Sequence, residues 1–203
     1  MKEPDESSCS FSLDDVSLLE FLLDGEGSER GQILVAAETV HVRLTECLRV
    51  RIKKTSADNR FLKLMDDHLS GDVWSPLRDF AGKILISRLF GVIGQELYEV
   101  LNAVRELRNA FAHADGTISM DIIASGASSL KKAKQLRASF RHLEKYLNET
   151  QRREQGTDEN PVIWRIERLR GFDDANKAQP LSNRNVFLAA CFTSWDQLSS
   201  LCR

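Results

Sequence analysis

Apolar residues recur every three or four positions through most of the chain, and the interruptions fall at Gly, Pro and Ser, so the pattern predicts a series of helices and no run of alternating strand character. Leu13 to Leu23 brings Val16, Leu19, Leu22 and Leu23 to one face, and the Gly25-Glu26-Gly27 break follows. Ser28 is placed to cap the longest helix, from Glu29 to about Lys54, with Ile33, Ala37, Val40, Leu44, Leu48 and Ile52 as its inward stripe. A shorter helix is expected from Asp58 to Leu69. Ser75 followed by Pro76 then reads as an N-cap and first-turn pair for a helix from Leu77 to Phe90.

Gly91 and Gly94 separate that helix from the next, from about Gln95 to His113, where Leu97, Leu101, Val104, Leu107 and Phe111 mark the core side and Gly116 the stop. Thr117 to Ser128 reads as a short irregular bridge of small residues, and Leu130 to Leu147 as helix again. The stretch from Asn148 to Pro161 is polar and reads as mobile. Beyond it, Val162 to Leu169 and Asn185 to Cys202 are apolar-periodic, with a linker from Gly171 to Pro180 between them. The last piece carries Phe187, Leu188, Cys191, Phe192, Trp195 and Leu198 and is expected to dock on the bundle. The fold class is therefore all-α: residues 1–12 a loose lead-in, 13–147 a multi-helix bundle, and 148–203 a linker with an irregular, partly helical C-terminal extension.

One stretch breaks the apolar pattern with concentrated polar chemistry: Arg105-Glu106-Leu107-Arg108-Asn109-Ala110-Phe111-Ala112-His113. On a helix, Asn109 and His113 share a face with Arg105. Arg108 and His113, five apart, stand roughly 140° from each other and converge only where the helix loosens or across two chains. Two readings stay open. An imidazole titrates near neutral pH and a guanidinium matches phosphate oxygens, so Arg108, Asn109 and His113 have the chemistry of a metal-independent ribonuclease. Alternatively, Asn109 and His113 satisfy unpaired carbonyls at a helix end or bond the loop from Asp115, and Arg108 pairs with Glu29, Glu38 or another buried carboxylate. Ser28-Glu29-Arg30-Gly31 poses the same choice between a cap with an ion pair and an anion site, and Gly31 in a first helical turn suggests a close approach or a ligand.

The spacing Arg108-Asn109-x-x-x-His113 resembles the signature of the HEPN superfamily, helical domains of which many are ribonucleases with sites assembled where two chains meet. A longer resemblance runs from Leu19-Glu20-Phe21-Leu22-Leu23, through Gly27-Ser28-Glu29-Arg30-Gly31 and Ser75-Pro76-Leu77-Arg78-Asp79-Phe80, across the apolar Ile84 to Gly94, to Arg108-Asn109-Ala110-Phe111-Ala112-His113. These ordered blocks, over most of residues 18–116, are similar to the mannitol operon repressor (MltR-like) family, with Glu29 where that family more often has Asp. The resemblance implies a non-enzymatic regulator of transcription or sugar uptake, oligomeric and working through a protein partner such as a phosphotransfer carrier or a transcription factor. RNA enters only under the ribonuclease reading.

Composition narrows the classes. A chain of 203 residues is long enough for one well-buried domain, and its formal net charge of -2 supplies no general field for nucleic acid. No tight helix pair with a polar reading face is present, so direct DNA binding is not expected. The densest positive cluster, Lys131, Lys132, Lys134, Arg137 and Arg141, is either a solvated helix face or a surface for an anionic partner. Cys9, Cys47, Cys191 and Cys202 are scattered without a Cys-x-x-Cys pair and are expected to be reduced thiols. His41, His68 and His142 stand apart from ligand partners at metal spacing, so neither a metal nor another cofactor is expected. No apolar run is long enough for a membrane span and no export signal opens the chain, which makes a cytoplasmic location the expectation.

Overall fold

The computed structural model describes residues 28–55, 58–70, 75, 77–114, 116, 118–126, 132–154 and 181–202. The helix expected at 13–23, Lys131, the 162–169 piece and the 171–180 linker lie outside them. The described residues form seven helices and no strand: α1 (Glu29–Thr55), α2 (Asn59–Ser70), α3 (Phe80–Leu89), α4 (Gln95–Ala112), α5 (Met120–Ser125), α6 (Ala133–Glu154) and α7 (Asn183–Leu201). The all-α expectation holds.

Local chemistry sets the boundaries. The Ser28 hydroxyl accepts the Gly31 N–H at 3.1 Å and opens α1. Among the described residues, a Cβ added at Gly31 would meet only that hydroxyl, at 3.2 Å, so the tight approach there is that of the cap. α3 starts three residues later than Ser75-Pro76-Leu77 suggests. Its cap is Asp79, whose carboxylate accepts the Gly82 N–H at 2.6 Å, whereas Ser75 closes the preceding turn by accepting from Leu77 and Arg78. The bridge expected at 117–128 contains α5. Ser119 caps it at Ile122 N–H, and Gly126 ends it in the left-handed region at φ 71°, with the Arg137 side chain lying where a Cβ would go. α6 continues to Glu154, through sequence expected to be mobile, because Tyr146, Leu147 and Thr150 keep a buried face and Arg153 forks onto Glu96 at 2.8 and 2.9 Å. The 147/148 boundary therefore falls inside a helix.

Contacts between helices fix their directions. Arg30 reaches Ala112 and Arg108 faces Glu38, so α1 and α4 run antiparallel; Glu96 meets Arg153 and Glu106 meets Gln135, so α4 and α6 do too. Arg184 meets Gln32, Arg43 meets Ser199, and Cys47 meets Cys202, which makes α7 parallel to α1. The α1–α7 contact is the most extensive between any two helices, followed by α4–α6. α7 is buried without a gap from Val186 to Ser194 and lies inside the same core as Leu44, Leu101, Leu107, Phe111 and Phe140. A helix covered on every side belongs to the centre of a bundle.

Cys47 and Cys202 form a disulfide with Cα atoms 5.2 Å apart, which corrects the expectation of reduced thiols for these two. A separation of 155 residues leaves no spacing signature, and only the parallel packing of α7 on α1 brings the pair together. Cys191 is a free, fully buried thiol, and burial pushes its pKa well above the ordinary value. Cys9 lies outside the described residues.

Candidate functional site

Both ends of the polar signature are tied to helix termini. Arg30, on the first turn of α1, donates from Nη2 to the Ala112 carbonyl at 2.9 Å and from Nη1 to the Ala114 carbonyl at 3.3 Å. Those carbonyls close α4, where four acceptors lack intrahelical partners and the dipole favours a cation. Glu29, one residue earlier, accepts the Met120 N–H at 3.0 Å at the start of α5, the complementary arrangement of a carboxylate at a positive helix end. Ser28, Glu29 and Arg30 thus form one clamp that fixes the α4–α5 turn onto α1. Replacing Arg30 by Ala leaves the carbonyls to solvent, and we expect a loss of about 1 kcal/mol, read as a lower urea midpoint with an unchanged slope.

Arg108 points away from that clamp. Its Nη2 lies 3.8 Å from Glu38 Oε2 on α1, and its Nη1 donates to the neighbouring Asn109 Oδ1 at 3.2 Å. The His113 backbone N–H donates to the Asn109 carbonyl at 3.1 Å as the C-cap of α4, while its side chain is exposed. Among the described residues no bond joins the ring to the helix-end carbonyls, and Asp115, the other expected partner, lies outside them. Arg105 is half-buried, with no hydrogen-bond partner at Nε. The structure brings Glu29 and Arg30 to the end of the signature helix and Arg108 to Glu38, and leaves the His113 ring in solvent.

Around Glu38 stand three residues that sequence reasoning did not single out as a site. His41 Nδ1 is 3.2 Å from Glu38 Oε1, and the imidazole lies against the Phe80 ring with centroids 4.9 Å apart. Lys83, on the buried side of α3, interacts with the same carboxylate by charge, beyond ion-pair distance. His41 Nε2 is buried without a hydrogen-bond partner. Burial, then Lys83, and lastly Arg108 lower the His41 pKa against the pull of Glu38. Burial and then Arg49 lower that of Lys83, opposed by Glu38 and Asp79. A carboxylate three residues from a histidine on α1 was visible in the sequence, but Lys83, Phe80 and Arg108 come from two other helices.

The basic cluster lies elsewhere. Lys134 and Arg141 are exposed on α6, Lys132 is exposed in the turn just before it, and the Arg137 stem covers Gly126. Among the described residues, no group of three or more His, Cys, Asp or Glu is arranged to hold a metal ion, and no helix is long and apolar enough to cross a membrane.

Fold and site together define an all-α bundle protein whose signature residues clamp helix ends and surround one shared carboxylate. No protein-family model, curated protein or solved structure matches the chain.

Proposed function

We propose that this chain is a non-enzymatic regulatory protein, of the kind its resemblance to the mannitol operon repressor family implies, which acts through protein contacts on the outer face of α3. The observation that carries this reading is the group of three large apolar side chains exposed together at the end of α3, whereas Phe61 with Leu64, Val42 and Leu201 on other helices form smaller exposures. Ile84 is fully buried, whereas Leu85, Leu89 and Phe90 are 52, 69 and 60% exposed, at consecutive turns and the C-cap. Large side chains grouped on one helix are the mark of an association surface rather than of scattered surface residues. Its first occupant is a second copy of the chain, since a single self-complementary patch generates a two-fold pair. A role in transcription or sugar-uptake control, with a phosphotransfer carrier or transcription factor as partner, and a cytoplasmic setting belong to the same proposal. Light scattering of the purified chain should give a dimer, and Leu85→Glu with Leu89→Glu should give a folded monomer, weakening association at least about a hundredfold, since burying two leucines stabilises by several kcal/mol. A wild-type chain that stays monomeric at high micromolar concentration would rule out the self-pair.

The second reading, a metal-independent ribonuclease, is favoured by the exposed His113 ring close in sequence to the part-exposed Arg108. It requires cleavage of single-stranded RNA in chelator, lost in His113→Ala at an unchanged melting temperature.

A further inference from the structure

We propose that His41 is a proton-operated release for α3, holding the helix on α1 while the imidazole is neutral and loosening it when the ring takes a second proton. The arrangement supports this through charge and enclosure. From α1, Glu38 faces the ring; from α3, Lys83 does, with Asp79 beside Lys83; from α4, Arg108 does. Arg108 already lies 3.8 Å from Glu38 Oε2, and the Lys83 charge acts on Glu38 and His41 from beyond ion-pair distance. A proton on His41 adds a third cation to one anion.

Enclosure adds to the difficulty. Nδ1 is turned to Glu38, so the incoming proton goes to Nε2, which is buried with no acceptor in reach. A buried N–H without a partner loses its hydration with no compensation. Phe80, tilted against the ring, and Lys83 are both on α3, so displacing the start of α3 uncovers the imidazole. α3 is a ten-residue helix whose buried residues are Lys83, Ile84 and Ser87, with Phe80 packed at the edge of the core. Elements of that kind open below the free energy of global unfolding.

The direction with pH follows from linkage. The folded state lowers the histidine's proton affinity, so above the unfolded value near 6.5 both states hold a neutral ring and nothing is lost. As pH falls below about 6.5 the opened form binds the proton first, and the closed form is progressively disfavoured down to the folded-state pKa. Because α3 also carries Leu85 and Leu89, the release would alter the association surface; that consequence rests on the function proposed above, whereas the release itself does not.

Hydrogen exchange on the full chain tests it, with rates corrected for the intrinsic effect of pH. Between pH 7.5 and 5.0, protection of Phe80–Leu89 should fall, while α6 and α7 keep theirs. His41→Phe, which retains a ring against Phe80 and cannot be protonated, should remove the response, and His41→Gln should do the same if the phenyl variant folds poorly. Equal loss across all helices at pH 5.0, a flat α3 in the wild type, or an undiminished response in both variants would each overturn the proposal. Light scattering at the same two pH values separates the claims: a monomer throughout, with α3 responding, defeats the self-association reading and leaves the release standing.

Discussion

Reduction of the Cys47–Cys202 disulfide is expected to produce the largest change in stability available to this chain without altering a core side chain. The bond closes a loop across a sequence separation of 155 residues, and the loss of chain entropy it imposes on the unfolded state amounts to about 5 kcal/mol in the simple loop-closure treatment. In a domain of this size that corresponds to a fall in Tm on the order of 10 °C or more. Cys47→Ser and Cys202→Ser should each reproduce the reduced protein's midpoint and be indifferent to reductant. Folded-state neighbours help to hold the contact when the bond is open: Arg43 donates to Ser199 at 2.9 Å and to Glu46 at 2.6 Å, and its guanidinium lies 5.3 Å from the Trp195 ring centre. Reduction should therefore lower the midpoint without detaching α7 under native conditions. A melting curve unchanged by reductant would show that the thiols are separate. Cys191, buried with its thiol held protonated, should react with thiol reagents only on unfolding.

The sequence pattern carried the fold further than it carried the site. In α1 the predicted stripe is buried at Ile33, Ala37, Val40, Leu44 and Leu48 but only half-buried at Ile52, and the helix ends at Thr55, one residue past the expected end. Period and caps are local properties, so they can be read without knowing the partner helix. What α7 does could not be read this way. Its apolar residues suggested a docking face, but Ala189, Ala190, Thr193 and Ser194 are also buried, because α1, α4 and α6 cover it from several sides. Small residues there allow close helix approach, a demand that arises only in the assembled core.

The same distinction explains the site. Ser28-Glu29-Arg30 was legible as capping chemistry, yet the groups capped by Glu29 and Arg30 belong to α5 and α4, more than eighty residues away. The charges around Glu38 depend on three helices meeting, and nothing in the spacing of His41, Lys83 and Arg108 announces it. Residues at one junction share a single electrostatic environment only after packing has removed the water between them.

Within the signature helix, the residue expected to matter most for stability is Phe111 rather than His113. Phe111 is fully buried on the core side of α4, in the cluster that includes Leu107 and Met120, so Phe111→Ala leaves a cavity as well as losing the transfer energy of the ring. We expect a loss of about 3–5 kcal/mol, a substantial part of the stability of an ordinary domain. His113→Gln removes an exposed ring, while the backbone N–H that caps the helix through Asn109 is kept, and should change stability by less than about 0.5 kcal/mol. Urea unfolding of the two variants, two positions apart in sequence, measures the contrast directly. A large loss for His113→Gln would mean that the ring is held by a contact, such as a second copy of the chain, that forms only in solution; a small loss for Phe111→Ala would mean that the α1–α4–α5 core closes over the gap. The apolar half of the signature thus holds the bundle together. Its histidine ring is exposed, so its contribution should be sought in binding and activity assays at fixed stability.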